Sequence, residues 1–69
     1  MAEATFRVPT AFCPHCQYTL EQAVGNLAGV KRVSVDLRQQ TVTVEYDPGV
    51  LEREAIRQRI EGAGFPVAP

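Results

Sequence analysis

The 69-residue sequence contains no tryptophan, one methionine and two cysteines, and no apolar run longer than a few residues. A helix that crosses a bilayer needs about 20 consecutive apolar residues, so we expect no membrane-spanning segment. The first five residues, Met1 to Thr5, lack the basic start and apolar stretch of a secretion signal. These absences together predict a cytoplasmic protein.

The sequence also lacks an excess of charge of either sign. Seven Lys and Arg residues are balanced by eight Asp and Glu residues, which gives a formal net charge of -1. Binding to phosphate backbones or anionic membranes is driven by excess positive charge, so nucleic acid is a disfavoured partner. The hydrophobic content of 45% is that of a globular protein. A chain of this length supports one core, and we predict a single domain over residues 1–69.

The spacing of apolar residues predicts one strand and one helix in the first half of the chain. Apolar and polar residues alternate over residues 4–9, which is typical of a half-buried strand. Between Cys16 and Leu27, apolar residues recur at every third or fourth position, which predicts a helix over residues 14–27. Pro14 suits the first turn of this helix, because the N–H that proline lacks has no partner within a helix there.

The second half of the chain predicts a hairpin, a helix and a short last strand. Residues 32–37 and 41–46 alternate between apolar and polar side chains, and the short connection between them predicts antiparallel pairing. Helical spacing predicts a second helix over residues 51–62. Residues 65–67 predict a final strand at a sheet edge, because Pro66 has no N–H to donate.

The predicted order of elements, β-α-β-β-α-β, consists of two successive β-α-β units. Right-handed crossovers place both helices on the same face of the sheet. We therefore predict an α+β, ferredoxin-like fold with a four-stranded antiparallel sheet.

Cys13 and Cys16 form a Cys-x-x-Cys motif at the start of the first predicted helix. The free N–H groups at a helix start favour thiolate over thiol, and thiolates select soft metals, above all Cu(I). A closed zinc site takes four ligands, whereas the chain has two cysteines and one histidine, His15, which we expect to face solvent. We predict Cys13 and Cys16 as the metal ligands, with Cys16 partly buried on the apolar stripe and Cys13 exposed. Cu(I) is favoured, and Zn(II), Hg(II) or another soft metal are the alternatives.

Five segments together carry a family resemblance: Cys13-Pro14-His15-Cys16, Gly29-Val30, Val33-Ser34-Val35-Asp36-Leu37, Asp47-Pro48 and Ile60-Glu61-Gly62-Ala63-Gly64-Phe65. With this pattern, the chain from Phe6 to Val67 resembles the heavy-metal-associated domains of small copper chaperones and of copper-transporting P-type ATPases.

The resemblance implies a non-enzymatic carrier that passes copper to or from a copper-transporting P-type ATPase or another metal-binding domain by exchange of thiolate ligands. It implies a monomer without metal, with a metal-bridged dimer as a further state.

The chain departs from the family pattern just before the first cysteine. The family usually has Gly-Met-x there, whereas this chain has Thr10-Ala11-Phe12. With Ala11 in place of the longer methionine, we expect the loop that precedes the first helix and carries Cys13, here called the metal-binding loop, to be less tightly packed than in the family. The exception would be that Phe12 or Phe65 fills the space. The resemblance also places Phe65 against the metal-binding loop.

Two other functions remain open at this point. Cys-Pro-His-Cys is a type of motif found in thiol-disulfide oxidoreductases. The order of elements argues against that reading, because the chain passes from its first helix to a β-hairpin and ends without a third helix. The other alternative is a regulatory metal-binding domain of a P-type ATPase.

Overall fold

The computed structural model describes residues 1–69 and contains two helices and three strands. These elements are β1 (Ala2–Arg7), α1 (Pro14–Gly25), β2 (Val30–Asp36), β3 (Thr41–Tyr46) and α2 (Arg53–Gly62). The strands form one antiparallel sheet in the order β1-β3-β2. This arrangement confirms the α+β class and the antiparallel hairpin. Neither helix has the length and apolar character that a bilayer crossing requires.

Both helices are shorter than the apolar spacing predicts. α1 ends at Gly25, two residues before its predicted end, because the N–H of Leu27 already donates to the carbonyl of Val24 in a tighter turn, at 3.1 Å. α2 begins two residues later than predicted. The N–H of Leu51 donates to the carbonyl of Asp47 at 3.2 Å, so Leu51 belongs to the turn before the helix.

The predicted fourth strand over residues 65–67 does not form, and the sheet has three strands. A single backbone hydrogen bond joins this tail to β1, from the N–H of Ala68 to the carbonyl of Arg7 at 2.8 Å. Every second residue of a strand faces the same neighbour, so the next donor on this side would come from residue 66. That residue is Pro66, which has no N–H, so no second bond forms on the side of Pro9.

The core lies between the sheet and the two helices. The even-numbered residues of β1 and β3 point to the same face and share one cluster with α1 and α2, which confirms that both helices cover one face of the sheet. The buried residues are Ala4, Phe6, Val8, Ala11, Leu20, Val24, Val42, Val44, Tyr46, Ile56 and Ile60. None of them is charged, and fully burying each large apolar side chain contributes about 1.5–3 kcal/mol. This core holds the start of α1 against the end of β1.

Candidate metal centre

Cys13 caps the N-terminus of α1. Its backbone is extended, with φ -134° and ψ 158°, and its Sγ accepts a hydrogen bond from the N–H of Cys16 at 3.3 Å. The carbonyl of Cys13 accepts from the N–H of Gln17 at 3.1 Å, and Pro14 occupies the first helical position. The thiol here accepts a hydrogen bond from a backbone N–H of the first turn, as a serine or aspartate side chain does at the N-cap of other helices. The cap therefore fixes the sulfur of Cys13 over the end of the helix.

The structure brings the two predicted ligands together. The Sγ atoms of Cys13 and Cys16 are 2.7 Å apart, and both residues are free cysteines. Cys16 is half-buried and packs against the core, as expected. The expectation that Cys13 is exposed is wrong, because its role as the helix cap draws it into the same half-buried position.

The distance between the sulfurs has a consequence for metal binding. It exceeds the disulfide bond length of about 2.05 Å. Zinc–sulfur bonds in proteins are about 2.3 Å long, and two bonds of this order to one ion at a wide angle require the sulfurs to separate well beyond 2.7 Å. Rotation of the two side chains must accompany binding.

The electrostatic surroundings of the pair favour a thiolate. The hydrogen bond with the Cys13 thiol lowers the pKa of Cys16 below its usual range; partial burial opposes this shift, and nearby backbone hydrogen bonds add to it. The first turn of α1 contains no acidic residue, so the positive end of the helix dipole faces the sulfurs without compensation. The pair is suited to lose a proton to an incoming cation.

Three hydrogen bonds at the base of the metal-binding loop had no signal in the sequence. The Sγ of Cys16 donates to the carbonyl of Thr10 at 3.8 Å. The side chain of Gln40, in the turn between β2 and β3, donates from Nε2 to the carbonyl of Pro9 at 2.8 Å. The carbonyl of Gln40 in turn accepts from the N–H of Val8 at 2.8 Å. Gln40 therefore ties the hairpin turn to the loop that carries Cys13.

Ala11 lies at the bottom of the loop and is completely buried. Its N–H donates to the carbonyl of Val8 at 3.0 Å. Phe12 does not fill the space next to it, because its side chain is 69% exposed, whereas Phe65 is half-buried against the core. The structure has two cavities, and Ala11 lines neither of them. The expected under-packing at Ala11 is therefore not found.

The donor set within one chain consists of two sulfurs. No third His, Cys, Asp or Glu side chain joins Cys13 and Cys16 in a group that could hold a metal ion. His15 is exposed, although it lies between the two cysteines in the sequence. Two thiolates at a surface suit a soft cation of low coordination number, and they leave room for ligands from another molecule.

Comparison with known proteins gives a consistent result. Residues 5–66 match the family described as "Heavy-metal-associated domain". The chain is 35% identical over 60 residues to "Copper chaperone CopZ" of Enterococcus hirae, and the match covers 87% of each protein. It is 42% identical over 60 residues to "Copper-transporting ATPase 1" of Rattus norvegicus, which covers 87% of the chain and 4% of the ATPase.

Solved structures agree with the sequence matches. The fold superposes on a "CopZ metallochaperone" with a TM-score of 0.93 and 28% identity, covering 97% of this chain and all of the other. It superposes equally well on "a copper binding domain from HMA7, a P-type ATPase", at 34% identity and covering 99% and 92% of the two chains. The chain spans only 4–8% of the copper- and cation-transporting ATPases that it matches. The chain belongs to the heavy-metal-associated domain family.

Proposed function

We propose that this protein carries Cu(I) on Cys13 and Cys16 and exchanges it with a partner protein. The observation that carries the proposal is the pair of free, half-buried thiols at the N-terminus of α1, 2.7 Å apart and without a third ligand. Copper is the favoured metal because the related proteins are named as copper chaperones and copper-transporting ATPases. Zn(II) fits less well, since a closed zinc site takes two more ligands than one chain offers.

The proposed transfer is an exchange of thiolate ligands without a change in the oxidation state of copper. A thiolate of the partner adds to Cu(I), and the bond from copper to Cys13 or Cys16 then breaks. A second exchange completes the transfer. The released thiolate takes up a proton from water. The open position on a two-coordinate ion is what admits the incoming sulfur.

The same relatives support our proposal for the partner and the cellular setting. The partner is a copper-transporting P-type ATPase or another metal-binding domain, and residues 1–69 act as a single cytoplasmic domain. The protein carries its cargo and catalyses no reaction. It works as a free chaperone, like the relatives of equal length, or as a regulatory metal-binding part of an ATPase. It is a monomer without metal, and two copies bridge through shared copper.

Anaerobic titration with Cu(I) against a competing chelator tests the proposal. We expect one Cu(I) per chain in reducing buffer. Cys13→Ser and Cys16→Ser each remove one of two strong ligands and weaken binding steeply. His15→Ala is the matched control and keeps wild-type affinity. Binding that survives either serine substitution, or that depends on His15, would contradict the proposal.

A thiol-disulfide oxidoreductase is the second candidate, and the short distance between the sulfurs together with the lowered pKa of Cys16 favours it. In that reaction a thiolate attacks the disulfide of a substrate, which breaks its S–S bond, releases one substrate thiolate and forms a mixed disulfide. The second thiol of the chain then displaces the other substrate thiolate, so the chain becomes oxidised by two electrons and the substrate is reduced to two thiols. Reduction of a small aromatic disulfide, with glutathione to regenerate the dithiol, measures this activity. Turnover of the wild type that both serine variants lose would favour this candidate over the carrier.

A further inference from the structure

Gln40 fastens the hairpin turn between β2 and β3 to the chain at the end of β1. Its backbone carbonyl accepts from the N–H of Val8 at 2.8 Å, and its side-chain Nε2 donates to the carbonyl of Pro9 at 2.8 Å. Val8 and Pro9 are consecutive residues, so the two bonds fix the direction in which the chain leaves β1. No backbone N–H donates to the Pro9 carbonyl, and the Gln40 side chain is its hydrogen-bond partner.

The backbone of Gln40 has an unfavourable conformation. Gln40 is the only residue other than glycine with a positive φ, +58°. Glycine adopts this conformation without a steric cost, whereas a Cβ atom crowds the following carbonyl. A strained position of this kind indicates that the side chain has a role there. The contribution of the Gln40 side chain is the bond to Pro9, since it makes no other hydrogen bond.

The bond to Pro9 lies one residue from a contact with a ligand sulfur. Thr10 follows Pro9, and its carbonyl accepts from the Sγ of Cys16 at 3.8 Å. Pro9 and Thr10 are the central residues of a turn that is closed by a hydrogen bond from the N–H of Ala11 to the carbonyl of Val8, at 3.0 Å. Gln40 therefore holds one side of a turn whose other side contacts Cys16.

Few other bonds hold the metal-binding loop. Thr10 and Phe12 make no backbone-to-backbone hydrogen bond, and the Phe12 side chain is exposed. The order of the loop therefore depends on its two ends. Gln40 and the turn hold one end, and the helix cap at Cys13 holds the other.

We propose that Gln40 is a positioning residue for the metal site, which holds the metal-binding loop in the arrangement that receives the ion. This inference rests on the proposed binding of Cu(I) by Cys13 and Cys16. The two sulfurs must separate from 2.7 Å to bind one ion, and a loop that is fixed at its base confines this change to the two side chains. Without the bond to Pro9, the metal-free loop samples other arrangements, and metal binding must order it at a cost in entropy.

The expected effect of losing this bond is a weaker affinity while both ligands remain. The apparent dissociation constant rises in proportion as the fraction of molecules in the binding-competent arrangement falls. Loss of one neutral hydrogen bond permits a change of about 2- to 10-fold. Removal of a thiolate ligand should weaken binding far more.

Anaerobic Cu(I) titration against a competing chelator tests the proposal with three variants of Gln40. Gln40→Ala and Gln40→Gly both lose the donor and should weaken binding to the same extent, although glycine also removes the backbone strain. Gln40→Lys keeps a donor on a long side chain and should bind within about twofold of the wild type. Gln39→Ala is the matched control and keeps wild-type affinity, because the Gln39 side chain lies exposed in the same turn and makes no hydrogen bond.

Backbone ¹⁵N relaxation measures the order of the loop directly. In the metal-free reduced protein, Thr10 and Phe12 should be more mobile in Gln40→Ala than in the wild type. The difference should disappear when Cu(I) is bound, because the ion then holds the loop through both sulfurs. A residue that only stabilises the fold would change the mobility in both states.

Three results would overturn the proposal: wild-type affinity in both Gln40→Ala and Gln40→Gly, wild-type affinity in Gln40→Gly alone, or binding by Gln40→Lys as weak as that of Gln40→Ala. The second result would show that affinity follows stability, and the third that it follows the shape of the turn. A wild-type protein that binds no Cu(I) would refute the proposed function and this inference with it, whereas wild-type binding with unaffected variants would refute this inference alone.

Discussion

Gln40 offers a test of how the hairpin turn supports the metal-binding loop. Its Nε2 donates to the carbonyl of Pro9 at 2.8 Å, and its backbone has φ +58°, the left-handed region that side chains disfavour. Two substitutions separate these effects. Gln40→Ala removes the hydrogen bond and keeps a side chain in the left-handed conformation, whereas Gln40→Gly removes both.

The expected magnitudes follow from these two terms. A neutral hydrogen bond contributes about 0.5–1.5 kcal/mol, so Gln40→Ala should lower the free energy of unfolding by about 1 kcal/mol. For a domain of this size, that lowers Tm by about 4–8 °C. A side chain in the left-handed region costs about 1–2 kcal/mol relative to glycine. In Gln40→Gly the relief of this cost offsets the lost bond, and the global stability should stay near that of the wild type.

The measurements are urea unfolding and amide exchange under reducing conditions. Both variants should show faster exchange at Thr10 and Ala11, because both lose the bond to Pro9. Gln39→Ala is the control, since the Gln39 side chain is exposed and makes no hydrogen bond. Wild-type stability of Gln40→Ala, or a Gln40→Gly variant less stable than Gln40→Ala, would refute the reasoning.

Three further predictions concern packing and charge. Gly29 and Gly64 both have a positive φ, +94° and +97°. They differ in the space around them. A Cβ at Gly29 would lie 2.5 Å from a leucine side-chain carbon, whereas a Cβ at Gly64 would meet nothing within 4 Å. Gly29→Ala should therefore lower the free energy of unfolding by about 1–3 kcal/mol more than Gly64→Ala in urea denaturation. Ala11→Met should destabilise the protein by about 1–3 kcal/mol, because no cavity receives the longer side chain; a higher Tm would show hidden space. A hydrogen bond from Arg57 holds the pKa of Glu54 below its usual range, so its contribution to stability is present above about pH 4.5 and is lost as the pH falls through the lowered pKa. Unfolding curves between pH 3 and 6 should lose this pH dependence in Glu54→Gln, and equal slopes in both proteins would contradict the prediction.

Much of the fold could be predicted from the sequence because neighbouring residues encode it. The alternation over residues 41–46 defines β3 without reference to any other part of the chain. Pro14 marks the start of α1 for a reason that is also local, the missing N–H. The order of elements then limits the topology, since crossovers are right-handed. The Cys-x-x-Cys motif similarly predicts that its two sulfurs can meet across the first turn of a helix.

The features that the sequence analysis missed depend on residues far apart in the chain. The sequence analysis placed the last strand at a sheet edge because of Pro66. Whether the missing N–H of Pro66 breaks the pairing depends on the register of the tail with β1. The packing of α2 sets this register. Cys13 was expected to be exposed, and its position as a helix cap turned its sulfur inward. Neither cavity of the structure adjoins Ala11, where the sequence analysis expected looser packing.

The sequence by itself determined the existence and order of three strands and two helices and the proximity of Cys13 to Cys16, because each of these rests on spacings within a few residues. Only the tertiary structure decided how the metal-binding loop is held. Gln40 and Pro9 are 31 positions apart, and no local pattern of polarity records a contact at that range. This hydrogen bond forms only after the sheet has brought the hairpin turn beside the end of β1. It therefore stabilises the complete fold and no local segment of the chain.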